Sequence, residues 1–184
     1  MKTLAIFLLS LQITYAQTAR HRTIMLMGSR FDITIVDKDS TAAEEKINIA
    51  IAEISRIENL ISEWRASTEI SEVNKNAGIR PVKVSPEVIK LTERALWLSK
   101  ITDGAFDISI AAMDKIWRFD DSMDTPPTPQ QVKASIRNVG YKNIIINRKK
   151  STIFLKNKGM KIGFGATGKS YSADKTKALM HNNY

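Results

Sequence analysis

Apolar and polar residues alternate along residues 23–37, a period of two that is typical of a half-buried strand, and Gly28 and Ser29 allow a kink or bulge within it. From Thr41 the apolar spacing changes to three and four residues, which predicts an amphipathic helix opened by a capping box with Glu44. The apolar face of this helix consists of Ile47, Ala50, Ile51, Ile54, Ile57 and Ile61. The pattern therefore predicts extended structure followed by a long helix that packs on a core.

Shorter elements are predicted after a polar, irregular stretch that runs over residues 60–74. A strand over 81–84 leads into a helix with Ser85 as its N-cap and Pro86 as its first residue, and this helix ends before the turn 102–104. The later predictions are a short helix over 111–117, a loop over 120–129, a short helix capped by Thr128 and Gln131 that closes near Gly140, a hairpin of strands 143–147 and 151–155, a strand over 160–162 and a helix over 169–180. This order predicts a mixed α/β (α+β) domain with a largely antiparallel sheet.

The stretch Gly163–Ser170 matches two glycine-rich patterns at once, G-x-G-x-x-G and G-x-x-x-x-G-K-S. Both bring backbone N–H groups and a helix N-terminus close to phosphate oxygens, so the stretch predicts a phosphate or diphosphate ligand. A P-loop NTPase needs a later strand for its magnesium-binding Asp, and a Rossmann domain needs an acidic residue about 20 positions further on. The chain ends at Tyr184, 14 residues after Ser170, and Asp174 is too close to the loop. Neither nucleotide fold is supported, and a P-loop NTPase fragment stays as an alternative.

The composition is that of an ordinary globular protein of 184 residues, 43% hydrophobic and 26% charged. The absence of cysteine excludes thiol catalysis, disulfides and cysteine-held metal sites. The net charge of +9 comes from basic residues spread along the chain, with Arg148–Lys150 as a tight run. We therefore expect a solvated basic surface that meets anionic flavin, nucleotide or membrane, and no nucleic-acid partner. His21 and His181 have no metal-ligand or triad partner at suitable spacing.

Residues 1–16 have the features of a secretory signal peptide. Lys2 precedes a short apolar run from Leu4 to Ile13, and Ala16 supplies a small residue for cleavage. The run is too short to span a bilayer comfortably, so no transmembrane anchor is expected after cleavage. We expect residues 17–184 to form a periplasmic or secreted protein. The alternative is an ordinary buried N-terminal helix.

Two features have more than one chemical interpretation on sequence alone. Trp64 lies in the polar stretch, where an indole either covers the edge of a core or stacks on a planar ring. Asp103 and Asp107 flank Gly104-Ala105-Phe106, and they serve either the turn that ends a helix or the binding of a ribose hydroxyl, an amine or a cation-bound water. Both alternatives stay open for each feature.

Four motifs, in this order, resemble those of the ApbE-type flavin transferases, the FAD:protein FMN transferases. They are Met27-Gly28-Ser29; Ser62-x-Trp64 with Ser67-Thr68-Glu69-Ile70-Ser71-x-Val73-Asn74; Thr102-Asp103-Gly104-Ala105-Phe106-Asp107; and Gly165-x-x-Gly168-Lys169-Ser170-Tyr171-Ser172-Ala173-Asp174. The resemblance implies an ApbE-like fold and a periplasmic enzyme that transfers FMN, with Mg²⁺, from FAD to a Thr or Ser of an acceptor protein, releasing AMP.

The resemblance also implies roles for individual residues. Those that would border FAD are Met27, Trp64, Ala105, Phe106, Asp107, Gly165 and Tyr171. Among them, Trp64 would lie against a ring, and the segment 105–107 would line the adenosine part with Asp107 as a polar anchor. Gly168 would offer its backbone carbonyl to Mg²⁺, a cation that prefers oxygen ligands. Lys169 would lie beside the phosphates as the candidate catalytic residue.

The chain also departs from the family pattern. The usual loop is closer to Gly-Gly-Ile-Ala-Lys-Gly-Tyr, so Gly168 stands where the family has alanine and Ser170 where it has glycine. Family members continue well beyond this point, with acidic and threonine metal ligands and a histidine-containing segment in the further part. The resemblance therefore implies the N-terminal part of a transferase domain over residues 17–184, with weak FAD binding and no turnover. A non-catalytic periplasmic module that binds flavin or nucleotide is the alternative.

Overall fold

The computed structural model describes residues 17–118, 123 and 125–183, and the side chains of 181–183 are outside this description. The chain divides into two compact units, Met1–Ala52 and Glu53–Tyr184. The candidate signal peptide and residues 120–122 and 124 of the loop over 120–129 lie outside the described residues. Among the helices that are described, none combines the length and the apolar character needed to cross a membrane.

The first unit contains an antiparallel hairpin of β1 (Thr18–Leu26) and β2 (Ser29–Asp37), in which Leu26 pairs with Ser29. The sequence predicted one extended segment with a kink, and that prediction is wrong at the turn. The chain reverses at Met27 and Gly28, which both have positive φ, 50° and 69°. Two consecutive residues of positive φ form the tight turn that matches the twist of a hairpin.

Helix α1 (Ser40–Ile61) begins in the first unit and continues into the second. The predicted capping box is wrong, because the side chain that caps the helix belongs to Asp39. Its Oδ1 accepts the N–H of Ala42 at 2.8 Å. Glu44 pairs instead with Arg22 of β1. The predicted apolar face is confirmed, since five of its six residues are buried: Ile47, Ala50, Ile54, Ile57 and Ile61.

The second unit combines four further helices with a small sheet. Its elements are α2 (Glu69–Lys75), β3 (Val82–Lys83), α3 (Pro86–Ile101), a 3-10 helix (Ile108–Ala112), α4 (Pro129–Ser135), a 3-10 turn (Tyr141–Asn143), β4 (Ile144–Asn147), β5 (Thr152–Leu155) and α5 (Gly168–Asn183). The three strands pair antiparallel in the order β3-β5-β4. The predicted fold class, mixed α/β with antiparallel pairing, is confirmed.

The core of the second unit is apolar and comes from every part of its sequence. Fully buried side chains include Ile57, Ile70, Val73, Val88, Ile153, Leu155, Met160 and Ile162. The N-caps of α3 and α4 are those predicted, because Ser85 accepts the N–H of Val88 and Thr128 forms a reciprocal capping box with Gln131. Ile162 and Phe164 belong to this core, so its packing positions the start of the glycine-rich loop.

Three local predictions are wrong in the second unit. The stretch over 60–74 is not irregular throughout, since it contains α2 with Thr68 as its N-cap. The short helix predicted over 111–117 is a 3-10 helix that starts earlier, at Ile108. The segment 160–162 is buried at Met160 and Ile162 but joins no strand ladder. It is held in place by a side chain, as described below.

Candidate functional site

At the start of the glycine-rich loop, two apolar side chains point into the core, and the glycines between and after them are more exposed. Ile162 and Phe164 are 0% and 2% exposed, while Gly163 is half-buried and Gly165 is exposed between and after them. A Cβ built on Gly165 would meet no atom within 4 Å. The loop then tightens, since the N–H groups of Thr167 and Gly168 both donate to the Phe164 carbonyl, at 3.1 and 2.6 Å. This face of the loop leaves open the approach of a ligand to the backbone.

Several N–H groups of the loop have no protein acceptor. Within the described part of the chain, none is recorded for the N–H of Gly165, Ala166, Lys169 or Ser170. The last two lie in the first turn of α5, where the helical ladder offers N–H groups no carbonyl. Together with the positive end of the helix, these donors form a surface suited to an anion such as a phosphate.

Two contacts hold the loop to distant parts of the sequence. The Asn74 side chain of α2 binds both backbone groups of Ile162: its Nδ2 donates to the carbonyl at 3.0 Å, and its Oδ1 accepts the N–H at 2.8 Å. The N–H of Gly163 donates to the carbonyl of Ile108 at 3.0 Å. The chain entering the loop is therefore tied on one side to α2 and on the other to the segment that follows α3.

The segment before α2 reaches the same place. The hydroxyl of Thr68 donates to the Ser62 carbonyl at 2.5 Å, and the Ser71 hydroxyl lies 3.3 Å from the carbonyls of Ser62 and Glu63. These bonds fix the backbone that carries Glu63 and Trp64. The Trp64 side chain is 78% exposed, and the Lys115 ammonium lies 5.0 Å from the centre of its ring. An indole that is this exposed covers no core, so it is available to a planar ligand.

The segment 105–107 lies immediately before Ile108. Ala105 is exposed and Phe106 is half-buried. The Asp107 carboxylate is already engaged: Oδ1 accepts the N–H and the hydroxyl of Ser109 at 2.8 and 2.7 Å, and Oδ2 accepts the N–H of Tyr141 at 2.8 Å. In this structure Asp107 caps the 3-10 helix and ties it to the turn at Tyr141.

Tyr171 lies on the side of α5 that faces α3. Its hydroxyl donates to Glu87 Oε1 at 2.8 Å, and Glu87 is in turn paired with Arg56 at 2.8 Å. Burial, followed by the hydrogen bond to Glu87, raises the pKa of Tyr171 above its ordinary value. The ring also lines a cavity of about 380 Å³ between α3 and α5. Tyr171 thus joins α5 to α3 behind the loop.

The comparison with known families is decisive at this point, because residues 27–184 match the model of the ApbE family. This chain belongs to the ApbE family. The resemblance of its four motifs to that family is thereby confirmed.

Two similar relatives bear the name FAD:protein FMN transferase. The one from Klebsiella pneumoniae (strain 342) is 28% identical over 153 residues, which are 83% of this chain and 47% of the relative. The one from Haemophilus influenzae is 28% identical over 134 residues, 69% of this chain and 39% of the relative. The chain spans less than half the length of these two relatives.

Two solved ApbE structures share the fold. The ApbE protein from Thermotoga maritima superposes with a TM-score of 0.74 at 20% identity, over 88% of this chain and 52% of that one. The flavin transferase ApbE from Vibrio cholerae gives 0.73 at 19% identity, over 91% and 54%. The architecture described above is therefore the ApbE fold, over about half of those chains.

Within the ApbE fold, three of the four motifs meet at the glycine-rich loop of the second unit. Trp64 follows Glu63, whose carboxylate contacts the loop at Gly163. Asp107 precedes Ile108, whose carbonyl accepts the N–H of the same glycine. Met27 belongs to the first unit and forms its hairpin turn. The roles predicted for these residues toward a ligand stay predictions.

Two residues of this ApbE site were given no role from sequence. Asn74 closes the second motif and, with two hydrogen bonds, positions the loop. Glu63 precedes Trp64 and places its carboxylate against Gly163. The sequence pattern identified Asn74 as part of a motif. The residues that Asn74 and Glu63 contact could not be identified in this way, because they are brought close only by the tertiary fold.

The described residues offer few ligands for Mg²⁺. Gly168 is buried and is the first residue of α5, a position where a carbonyl also accepts the N–H four residues on. No group of three or more His, Cys, Asp or Glu side chains suited to a metal occurs among the described residues. A single carbonyl falls short of the octahedral oxygen set that Mg²⁺ requires. These residues alone therefore do not make up a magnesium site.

Proposed function

We propose that this chain acts in protein flavinylation as part of a FAD:protein FMN transferase. In this reaction the hydroxyl oxygen of an acceptor Thr or Ser attacks the phosphorus of the FMN moiety of FAD. The bond to the AMP phosphate breaks, AMP leaves, and the hydroxyl proton is released. The acceptor protein and FAD are both substrates of the proposed reaction.

One observation carries the proposal: in the glycine-rich loop, four N–H groups have no acceptor among the residues that the structure describes. They are the N–H groups of Gly165, Ala166, Lys169 and Ser170. A diphosphate placed there would receive several hydrogen bonds and the favourable field of the α5 N-terminus. The exposed Lys169 ammonium would add positive charge, and phosphoryl transfer depends mainly on neutralising phosphate charge and on positioning.

The flavin would lie on the indole of Trp64, which the fixed segment before α2 presents to solvent. A large, rigid aromatic face suits a fused planar ring system. The adenosine part would lie along the exposed Ala105 and the half-buried Phe106, which adjoin the loop through the bond from Gly163 to Ile108. Family membership and the positions of the three motifs support these proposed placements.

Magnesium enters the proposal only as a requirement of the transfer. Gly168 is the single ligand proposed from this chain, and no step is derived through the metal. A non-catalytic flavin-binding role is the second candidate function, and it is favoured by the lack of a suitable carboxylate or histidine cluster among the described residues.

Two measurements test these functions together. FAD binding is followed by the quenching of flavin and tryptophan fluorescence, with ATP and ADP as competitors. Transfer is followed by incubating the chain with FAD, Mg²⁺ and a flavin-acceptor protein, then looking for a fluorescent flavin band on a denaturing gel. A band supports the transferase, whereas FAD binding without a band supports the second candidate. A folded chain that binds ATP more tightly than FAD would refute both and favour a P-loop NTPase fragment.

We also propose that the protein works outside the cytoplasm, in the periplasm or after secretion. The support is the charge, apolar run and small residues of segment 1–16. Fractionation of the producing cells followed by N-terminal sequencing is the test. We expect a mature protein that begins at Gln17, and a cytoplasmic protein that keeps Met1 would contradict the proposal.

A further inference from the structure

Glu63 occupies a notch that exists because residue 163 is glycine. A Cβ built on Gly163 would overlap the carboxylate of Glu63. The φ of Gly163 is not in the left-handed region, so the backbone conformation does not call for glycine there. The absence of a side chain therefore serves to admit the Glu63 carboxylate to this face of the loop.

The notch lies on the open side of the loop. Ile162 and Phe164 point into the core, and Gly163 and Gly165 alternate with them. The position of a Cβ on Gly165 is unobstructed. The Glu63 carboxylate therefore lies against the start of the loop, two residues before the N–H of Gly165, the first of those proposed to receive a diphosphate.

The carboxylate of Glu63 is half-buried, and no hydrogen bond to it is recorded among the described residues. Burial raises the pKa of Glu63, and the charge of the nearby Lys161 opposes that rise. A ligand that covers this half-buried carboxylate removes the water that remains on it, so the ligand must bring hydrogen-bond donors to replace that water.

The chemistry of that ligand follows from the position of Glu63. It precedes Trp64, the proposed platform for the flavin ring, and it contacts the first glycine of the proposed diphosphate loop. In FAD, the hydroxyl-bearing ribityl chain connects the ring to the diphosphate. A carboxylate accepts hydrogen bonds from neighbouring hydroxyls and repels phosphate.

We propose that Glu63 is a substrate-binding residue that accepts hydrogen bonds from the ribityl hydroxyls of FAD. The inference rests on the proposed function. This contact would make the site prefer a flavin nucleotide to a nucleotide without a flavin. ADP carries a diphosphate but no flavin and no ribityl chain, so it does not use this contact.

Glu63→Ala is compared with wild type for the binding of FAD and of ADP, with urea unfolding to show that each variant folds. We expect FAD affinity to fall roughly 10-fold, the usual scale for a hydrogen bond to a charged group. We expect ADP affinity not to fall, because ADP loses no hydrogen bond and the removed carboxylate repels phosphate. Glu63→Gln keeps the size of the side chain and one acceptor, so it is expected to lose less. Glu45→Ala removes an exposed carboxylate from α1 and controls for net charge.

Gly163→Ala supplies a second, independent perturbation. Its methyl group displaces the carboxylate and leaves Glu63 in the chain. We expect it to weaken FAD binding as Glu63→Ala does, and to cause no further loss when added to Glu63→Ala.

The outcomes separate this inference from the proposed function. If wild type binds FAD and Glu63→Ala binds it equally well or more tightly, the role of Glu63 is refuted and the flavin site remains. An equal loss of FAD and ADP affinity also refutes the ribityl contact, because it shows a general effect on the loop. If folded wild type binds no FAD, the proposed function itself fails and this inference fails with it.

Discussion

Replacing Asn74 with alanine tests how the glycine-rich loop is held in place. The Asn74 amide makes two hydrogen bonds, of 3.0 and 2.8 Å, to the backbone of Ile162, 88 residues along the chain. Ile162 is fully buried. Truncation to alanine leaves a backbone N–H and a carbonyl without these partners. At about 1–1.5 kcal/mol for each bond, we expect the free energy of unfolding to fall by about 2–3 kcal/mol.

Urea unfolding of wild type and Asn74→Ala measures this loss, with Asn157→Ala as the matched control. Asn157 is exposed, and no hydrogen bond of its side chain is recorded in the described part of the chain. The control should therefore change the free energy of unfolding by less than about 0.5 kcal/mol. A loss at Asn74 that is no larger than at Asn157 would refute the reasoning.

The variant Asn74→Asp tests separately whether the donor of the Asn74 amide contributes to stability. The carboxylate keeps an acceptor for the Ile162 N–H but places an oxygen without a proton against the Ile162 carbonyl. We expect this variant to be at least as unstable as Asn74→Ala at neutral pH. We also expect both variants to weaken FAD binding, since the chain entering the loop then loses its tie to α2 and keeps the bond from Gly163 to Ile108. Stability equal to that of wild type would show that the hydrogen bond donated by the Asn74 amide does not stabilise the fold.

Three further predictions concern separate features. Lys169→Ala should weaken FAD and ADP binding by the same factor, roughly 3- to 10-fold. This loss of affinity should be smaller at high salt, because salt screens the charge of an exposed ammonium. A loss confined to FAD would contradict this role. Hydrogen bonds from Arg56 lower the pKa of Glu87 below its ordinary 4.5, so the stability they give is present above pH 4.5 and lost as the pH falls below it. Urea unfolding of Glu87→Gln should accordingly show a flatter loss of stability below pH 4.5 than wild type. Gly78→Ala should cost more than about 1 kcal/mol in urea unfolding, since Gly78 has a φ of 73° and a Cβ there would lie 2.6 Å from a backbone nitrogen.

Helical periodicity predicted the long helices, because the residues that are apolar at helical spacing are also the ones that are buried. The buried face of α1 and the start of α3 at Ser85 and Pro86 follow directly from local sequence. The capping box of α4 at Thr128 was predictable for the same reason. Each of these depends on residues within about one turn of one another.

Other features could not be predicted from local pattern. Helix α2 has seven residues, too few for a helical period to show, and its two large buried apolar side chains are Ile70 and Val73. The hairpin turn places Met27 at positive φ, a conformation that sequence assigns to glycine, asparagine or aspartate. Tertiary pairing of β1 with β2 overrides that preference.

The site was predictable as a set of motifs but not as a set of contacts. The order of the motifs indicated the family, and the glycine-rich loop indicated an anion. The hydrogen bonds from Asn74 to Ile162 and the contact of Glu63 with Gly163 connect residues far apart in the chain. No spacing rule relates such pairs, because the packing of α2 against the loop brings them together.

The two glycines of the G-x-G pattern therefore have different physical tasks. Gly165 leaves open space beside donors for an anion, while Gly163 leaves room for a carboxylate of the same protein. In a P-loop, all of the glycine positions serve the phosphates. A negative charge at Gly163 repels a polyphosphate that runs along the whole loop, and it favours a ligand with phosphate at one end of the loop and hydroxyl groups at the other. The diphosphate of FAD has hydroxyl-bearing groups on both sides, the ribityl chain and the ribose, whereas the triphosphate of ATP has a ribose on one side and ends in negative charge on the other. The contact at Gly163 therefore supports the proposed flavin nucleotide over ATP, although the Gly-Lys-Ser ending resembles a P-loop.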